Sequence, residues 1–94
     1  MNYSSPTVYA PPIGKAHYRH FVAPDEWLDK MKLIIGRAGC NFIKATRRSG
    51  CSYIWYHKDT HLIEIWGPFD KIMKGENCVR KIAQKYLDIK SNDQ

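Results

Sequence analysis

The hydrophobic and polar positions of this chain fall into two rhythms, one of three- and four-residue steps and one near two, and each marks its own set of elements. Trp27, Leu28, Met31, Ile34 and Ile35 recur at three- and four-residue steps, which predicts a helix with a single apolar face. Pro24, Asp25 and Glu26 open it, because proline tolerates an early helical position and carboxylates suit the positive helix end. Gly36 stops it. After Gly39 a second helix is expected, with Phe42, Ile43, Ala45 and Thr46 turned inward and Lys44, Arg47 and Arg48 in solvent, ending at Ser49-Gly50. From Phe69 to about Ile89, the positions Ile72, Val79, Ile82, Ala83, Tyr86 and Leu87 mark a long amphipathic helix, with Gly75 weakening its first turns.

Three segments have strand character. Lys15 to Ala23 is aromatic and β-branched with an imperfect alternation, while Cys51 to His57 and His61 to Gly67 are rich in strand formers. The polar connection Lys58-Asp59-Thr60 is short enough for a hairpin, so the last two strands are expected to be antiparallel neighbours. The order strand, helix, helix, strand, strand, helix (βααββα) predicts an α+β fold: a three-stranded antiparallel sheet with three helices on one face. Residues 1–14 hold Ser4, Ser5, Pro6, Pro11, Pro12 and Gly14 and are expected to form a flexible N-terminal tail. Residues 15–90 form the expected domain and 91–94 a frayed end. No internal repeat or linker divides the chain.

Length agrees with a single core. The 94 residues fall in the small-domain range, where folding removes roughly 60 to 68% of the unfolded surface, and 44% of them are hydrophobic. Cys40, Cys51 and Cys78 are odd in number and widely spaced, and the N-terminus lacks the apolar stretch of a secretory signal. An intracellular, reducing location, cytoplasmic, is therefore expected. No run approaches the roughly 18 apolar residues of a membrane span, so no membrane partner is expected.

Charge shifts the reading towards polyanions. Lys and Arg outnumber Asp and Glu by 15 to 9, giving a net charge of +6 and an isoelectric point near 9.3. From Lys30 to Arg48 the chain carries Lys30, Lys32, Arg37, Lys44, Arg47 and Arg48 without one carboxylate. A run of charge is usually a solvated face, but this one is interrupted by Gly36-Arg37-Ala38-Gly39. A Gly-x-x-Gly turn leading into a helix presents backbone N–H groups and the positive end of the dipole to an anion such as phosphate. Without a Cβ at Gly36 or Gly39 a nucleic-acid backbone can approach the main chain closely, and Arg37 adds a charge between them.

Two other chemistries are expected to be absent. Cys40, Cys51, His57 and His61 could be drawn as a zinc set, and the His57-x-x-x-His61 spacing is admissible. A helix between Cys40 and Cys51, however, would hold them roughly 15 Å apart. Cys40 at a helix N-terminus beside cations favours a thiolate, yet no histidine nearby in sequence can serve as its base. Neither a catalytic residue nor a metal or cofactor is therefore assigned.

The run Leu33-Ile34-Ile35-Gly36-Arg37-Ala38-Gly39, the later Ser49-Gly50, and Ile63-Glu64-Ile65-Trp66-Gly67 after the next strand together resemble the KH domain in its type I form. The resemblance covers roughly Lys15 to Ile89. Tyr53-Ile54-Trp55-Tyr56 and Ile63 to Pro68 further resemble short stand-alone KH-related proteins of giant DNA viruses and their virophages, which would place the protein in an infected host cell. The resemblance implies that Gly36, Arg37, Ala38 and Gly39 clamp the backbone of about four nucleotides of single-stranded RNA or DNA. The bases would lie in a groove between the paired helices and the second strand. Its apolar floor would draw on Ile34, Ile35, Phe42 and the segment Tyr53, Ile54 and Tyr56, with Lys44, Arg47 and Arg48 along the edge. The alternation of that strand leaves open which of its side chains face the groove.

Three departures from the family pattern accompany the match. Phe42 and Ile43 stand where an aliphatic and then a basic residue are usual, with Lys44 one step later; Ala38 replaces the usual second basic residue of the loop; and the last hairpin is short. These imply modest, salt-sensitive affinity. Phe42, Trp55, Trp66 and Tyr86 are read first as core or sheet-face residues. A competing use of the same scaffold is a protein-interaction or homodimerisation module, with Trp55 and Trp66 forming an exposed apolar patch.

Overall fold

A computed structural model describes residues 9–12 and 17–91. The chain runs through β1 (His17–Val22), a 3₁₀ helix (Asp25–Lys30), α1 (Met31–Ile35), a 3₁₀ turn (Arg37–Gly39), α2 (Cys40–Ser49), β2 (Tyr53–His57), β3 (Leu62–Gly67) and α3 (Phe69–Ser91). This is the α+β arrangement expected, a three-stranded antiparallel sheet with three helices. Lys15 and Ala16, assigned to the first strand from sequence, lie outside the described residues, as do 92–94 of the expected frayed end.

The first helix differs in detail. In place of one continuous α-helix from Pro24, the chain takes a 3₁₀ segment closed by the Trp27 N–H donating to Pro24 O at 2.9 Å. The α-helix begins only after Lys30, whose φ of −109° and ψ of 4° mark the break. The apolar face survives the change of pitch, because Trp27, Met31 and Ile34 are all buried.

β3 lies in the middle of the sheet, paired to both β1 and β2. Its neighbours align as Phe21↔Ile63↔Tyr56 and Arg19↔Ile65↔Ile54, which sets one face of the sheet against the helices. Ile34, Phe42, Ile54, Ile63, Ile65 and Val79 are fully buried where helices and sheet meet. Each such side chain contributes about 1.5–3 kcal/mol by leaving water. The opposite face carries the row Tyr18↔Trp66↔Tyr53, with ring centroids 5.0 and 5.2 Å apart. Tyr18 donates to the Glu64 carboxylate there, and desolvation together with that bond pushes its phenol up to about 12.

Gly75 has a packing reason inside α3. A Cβ there would sit 2.7 Å from Cys51 Sγ and 3.1 Å from Ile65 Cγ2, so its absence lets the helix lie close against the sheet. At the next position, the buried Glu76 accepts hydrogen bonds from Arg19 of β1 and from Arg80, tying helix to strand. Burial alone would raise its carboxyl; the two guanidinium groups outweigh that and hold it below the usual value. Arg80 also lies over the Phe21 ring, 4.3 Å from its centroid.

Candidate nucleic-acid interface

The turn between α1 and α2 is built from successive unusual backbone conformations. Gly36 has φ 87° and ψ 164°, Ala38 has φ 53° and ψ 26°, and Gly39 has φ 77° and ψ 15°. The Gly36 N–H closes α1 on Lys32 O at 3.0 Å, and the Gly39 N–H closes the turn on Gly36 O at 3.0 Å. Glycine is required at position 36 twice over: its φ is left-handed, and a Cβ would stand 2.8 Å from Cys40 Sγ and 2.9 Å from the Asn41 amide nitrogen. Arg37 and Ala38 project into solvent at the tip. No side chain caps α2, and no acidic residue stands in its first turn, so the positive end of the helix lacks an internal counter-charge.

Asn41 braces this turn from behind. Its Nδ2 donates to Leu33 O at 3.0 Å and lies 3.4 Å from Tyr86 Oη, linking the end of α1, the start of α2 and α3. Among the described residues the ion pairs are Arg19 and Arg80 with Glu76 and His57 with Glu64. None of Lys30, Lys32, Arg37, Lys44, Arg47 or Arg48 takes part in them, which leaves those six cations available to an external anion.

The remaining residues expected at the site divide between several environments. Ile35 is half-buried beside the turn. Phe42 and Ile54 have no exposed surface; they belong to the core and support the crease between α2 and β2 from beneath. Tyr56 follows Ile54 on the helix-covered face and is partly buried, whereas Tyr53 points to the opposite face and is 8% exposed. Lys44 and Arg48 were expected to edge the crease with β2, but α2 turns them to its other flank, where they line a groove with α3. The helical phase explains this: Lys44 and Arg48 lie four residues apart on the side of Asn41 and Ala45, while Thr46 takes the side of β2. Arg47 is exposed and does not line that groove.

The crease itself holds a residue that sequence reasoning assigned to a flexible tail. Tyr9 Oη accepts from the Ile54 N–H at 2.7 Å, lies 2.7 Å from Ile54 O and stands 2.6 Å from Thr46 Oγ1. Thr46 in turn donates to Phe42 O at 2.7 Å. Both backbone groups of Ile54 point away from β3 at the free edge of the sheet, and one phenol meets them. The Tyr9 ring packs against Tyr53 at 4.6 Å between centroids, and burial pushes its phenol above the ordinary value. Trp55 closes the far side, since its ring lies 3.3 Å from where a Cβ on Gly39 would be. Residues 1–8 and 13–16 of the expected tail and its join to β1 lie outside the described residues.

His57 and His61 do not converge. His57 Nε2 pairs with Glu64, while His61 Nδ1 meets Tyr56 Oη at 2.8 Å. Among the described residues no three His, Cys, Asp or Glu side chains gather to hold a metal, and no helix is long and apolar enough to cross a membrane. In comparisons with known proteins, no family model, no curated protein and no solved structure matched the chain.

Proposed function

We propose that this protein binds single-stranded RNA or DNA without catalysing a reaction, through a KH-like turn in which Gly36 to Gly39 receive the sugar-phosphate backbone. The observation that carries this reading is the conjunction at the turn: an exposed Arg37-Ala38 tip between two glycines of positive φ, and an α2 N-terminus with neither side-chain cap nor acidic residue. The six cations between Lys30 and Arg48 that join none of the described ion pairs favour a polyanion over a single small anion. Bases would enter the crease between α2 and β2, where a strand edge offers the amide and carbonyl of Ile54 once Tyr9 departs.

Titrating the purified protein with single-stranded RNA, single-stranded DNA and duplex at two salt concentrations tests the reading. Preference for single strands, weakening as salt rises, is expected. Duplex binding of equal strength would contradict a crease that reads unpaired bases and would leave only nonspecific charge.

A second reading, assembly with another protein or a second copy, is favoured by the face of the sheet that no helix covers. Tyr18, beside Trp66, is 43% exposed there, and Val22, opposite Leu62 at the other end of the ladder, is 62% exposed. Trp66→Glu separates the two: loss of a dimer on a sizing column supports assembly, while unchanged oligonucleotide affinity in a monomer supports the first reading.

A further inference from the structure

The groove between α2 and α3 has a volume of about 400 Å³ and a lining that includes four cationic side chains. Lys44 and Arg48 line one wall and Lys81 and Lys85 the other, over an apolar floor that includes Ile82 and Tyr86. Each pair is spaced four residues apart, about 6 Å along its helix, so the two walls present matched rows of charge. None of these four side chains is in an ion pair with a described carboxylate. Asp88, the next carboxylate along α3, lies outside the lining and accepts from Gln84 at 2.8 Å. Like charges facing one another across a cleft with nothing to neutralise them raise the energy of the empty protein and attract a polyanion.

The groove also joins the glycine turn. Asn41 lines its end, and Asn41 Cγ lies 2.9 Å from where a Cβ on Gly36 would stand. The helices run antiparallel from this point, with Asn41 against Tyr86 at the turn and Gly50 against Lys71 at the far end. A backbone held at Gly36 to Gly39 therefore meets the groove without crossing an acidic surface.

We propose that the cleft between α2 and α3 is a second binding site for a phosphodiester backbone, carrying a single strand onward from the glycine turn. Lys44, Arg48, Lys81 and Lys85 contact phosphates, and the partly exposed Tyr86 ring with Ile82 offers a surface for a sugar or base. Cationic walls along a floor with an aromatic ring suit single strands of any sequence. This inference rests on the reading of the turn given above and extends it to strands longer than the turn alone holds.

The test compares an oligonucleotide of four residues with one of about twelve, as RNA and as DNA, against Lys81→Gln/Lys85→Gln. Both substitutions are at exposed positions of α3, and a thermal melt checks the fold. Affinity for the longer strand is expected to fall about tenfold and its salt dependence to drop by about 1.4 in log–log slope, with a much smaller loss for the short strand. Lys44→Gln/Arg48→Gln, on the opposite wall, is expected to show the same dependence on length. Equal losses at both lengths, or none for the longer strand, would overturn the groove. Competition by polyglutamate as effective as by the longer oligonucleotide would also overturn it, in favour of an acidic protein. Loss of all binding in Arg37→Asp/Ala38→Asp, with Lys81→Gln/Lys85→Gln silent, would leave the turn standing and remove the groove alone. The converse result would remove the turn.

Discussion

Tyr9 and Ile54 are 45 residues apart in sequence, yet the phenol of one meets both backbone polar groups of the other at 2.7 Å. β2 is an edge strand, and an outward-facing amide and carbonyl on such an edge normally pair with water or another strand. Here a single hydroxyl takes both, anchored by Thr46 on α2. In the binding mode proposed above, Tyr9 stands where an unpaired base would hydrogen-bond to the strand.

Removing the Tyr9 hydroxyl leaves the Ile54 amide without its partner. Tyr9→Phe is expected to cost about 1–2 kcal/mol of stability, measured by urea denaturation. Tyr9→Ala also vacates the ring site against Tyr53, and its affinity for a short single strand is expected to exceed that of the parent protein. Lower or unchanged affinity would mean that the crease receives no base.

At the turn, glycine positions 36 and 39 are expected to respond unequally. Gly36→Ala combines a left-handed φ with contacts of 2.8–2.9 Å to Cys40 and Asn41, and is expected to destabilise by about 2–4 kcal/mol. Gly39→Ala carries the φ penalty but meets only the Trp55 ring, at 3.3 Å, so thermal denaturation should rank it milder. The reverse ranking would contradict the geometry assigned to the turn.

The Glu76 cluster predicts a dependence on acid. Its carboxyl is held below the ordinary value, so the unfolded chain takes up the proton first as pH falls. The contribution is full above the ordinary glutamate value of about 4.3 and is lost below it, as pH falls through the folded value. Arg19 and Arg80 are 42% and 44% exposed, so solvent screens the pair, and Glu76→Gln is expected to cost only about 1–2 kcal/mol at neutral pH. Melting temperatures of parent and variant should converge below pH 4.3; a constant gap would contradict the cluster's role.

Local pattern made most of this fold legible. Trp27, Met31 and Ile34 showed their shared face through spacing alone, and that face persists although the backbone tightens to a 3₁₀ helix before Met31. The turn at Gly36 to Gly39 was legible because glycine and the start of a helix are sequence-local. The flank of α2 on which Lys44 and Arg48 lie was not, because it depends on where α3 packs, and Lys81 and Lys85 carried no local signal beyond ordinary helix-surface charge. Gly75 read as a weak point and proved to be a contact point, since only the packed sheet reveals Cys51 and Ile65 beside it. The docking of Tyr9 was invisible for the same reason: proline and serine neighbours describe the chain's freedom, and a tertiary hydrogen bond overrides it.

The decisive variant for the proposed grip of the glycine turn is Arg37→Asp/Ala38→Asp. Arg37 is exposed, aspartate tolerates the left-handed conformation of Ala38 better than most residues, and carboxylates beside the N-terminus of α2 suit its dipole. The variant is therefore expected to melt at or near the parent temperature while losing measurable affinity for short single-stranded oligonucleotides. Full affinity in the folded variant would contradict the claim that this turn grips the nucleic-acid backbone.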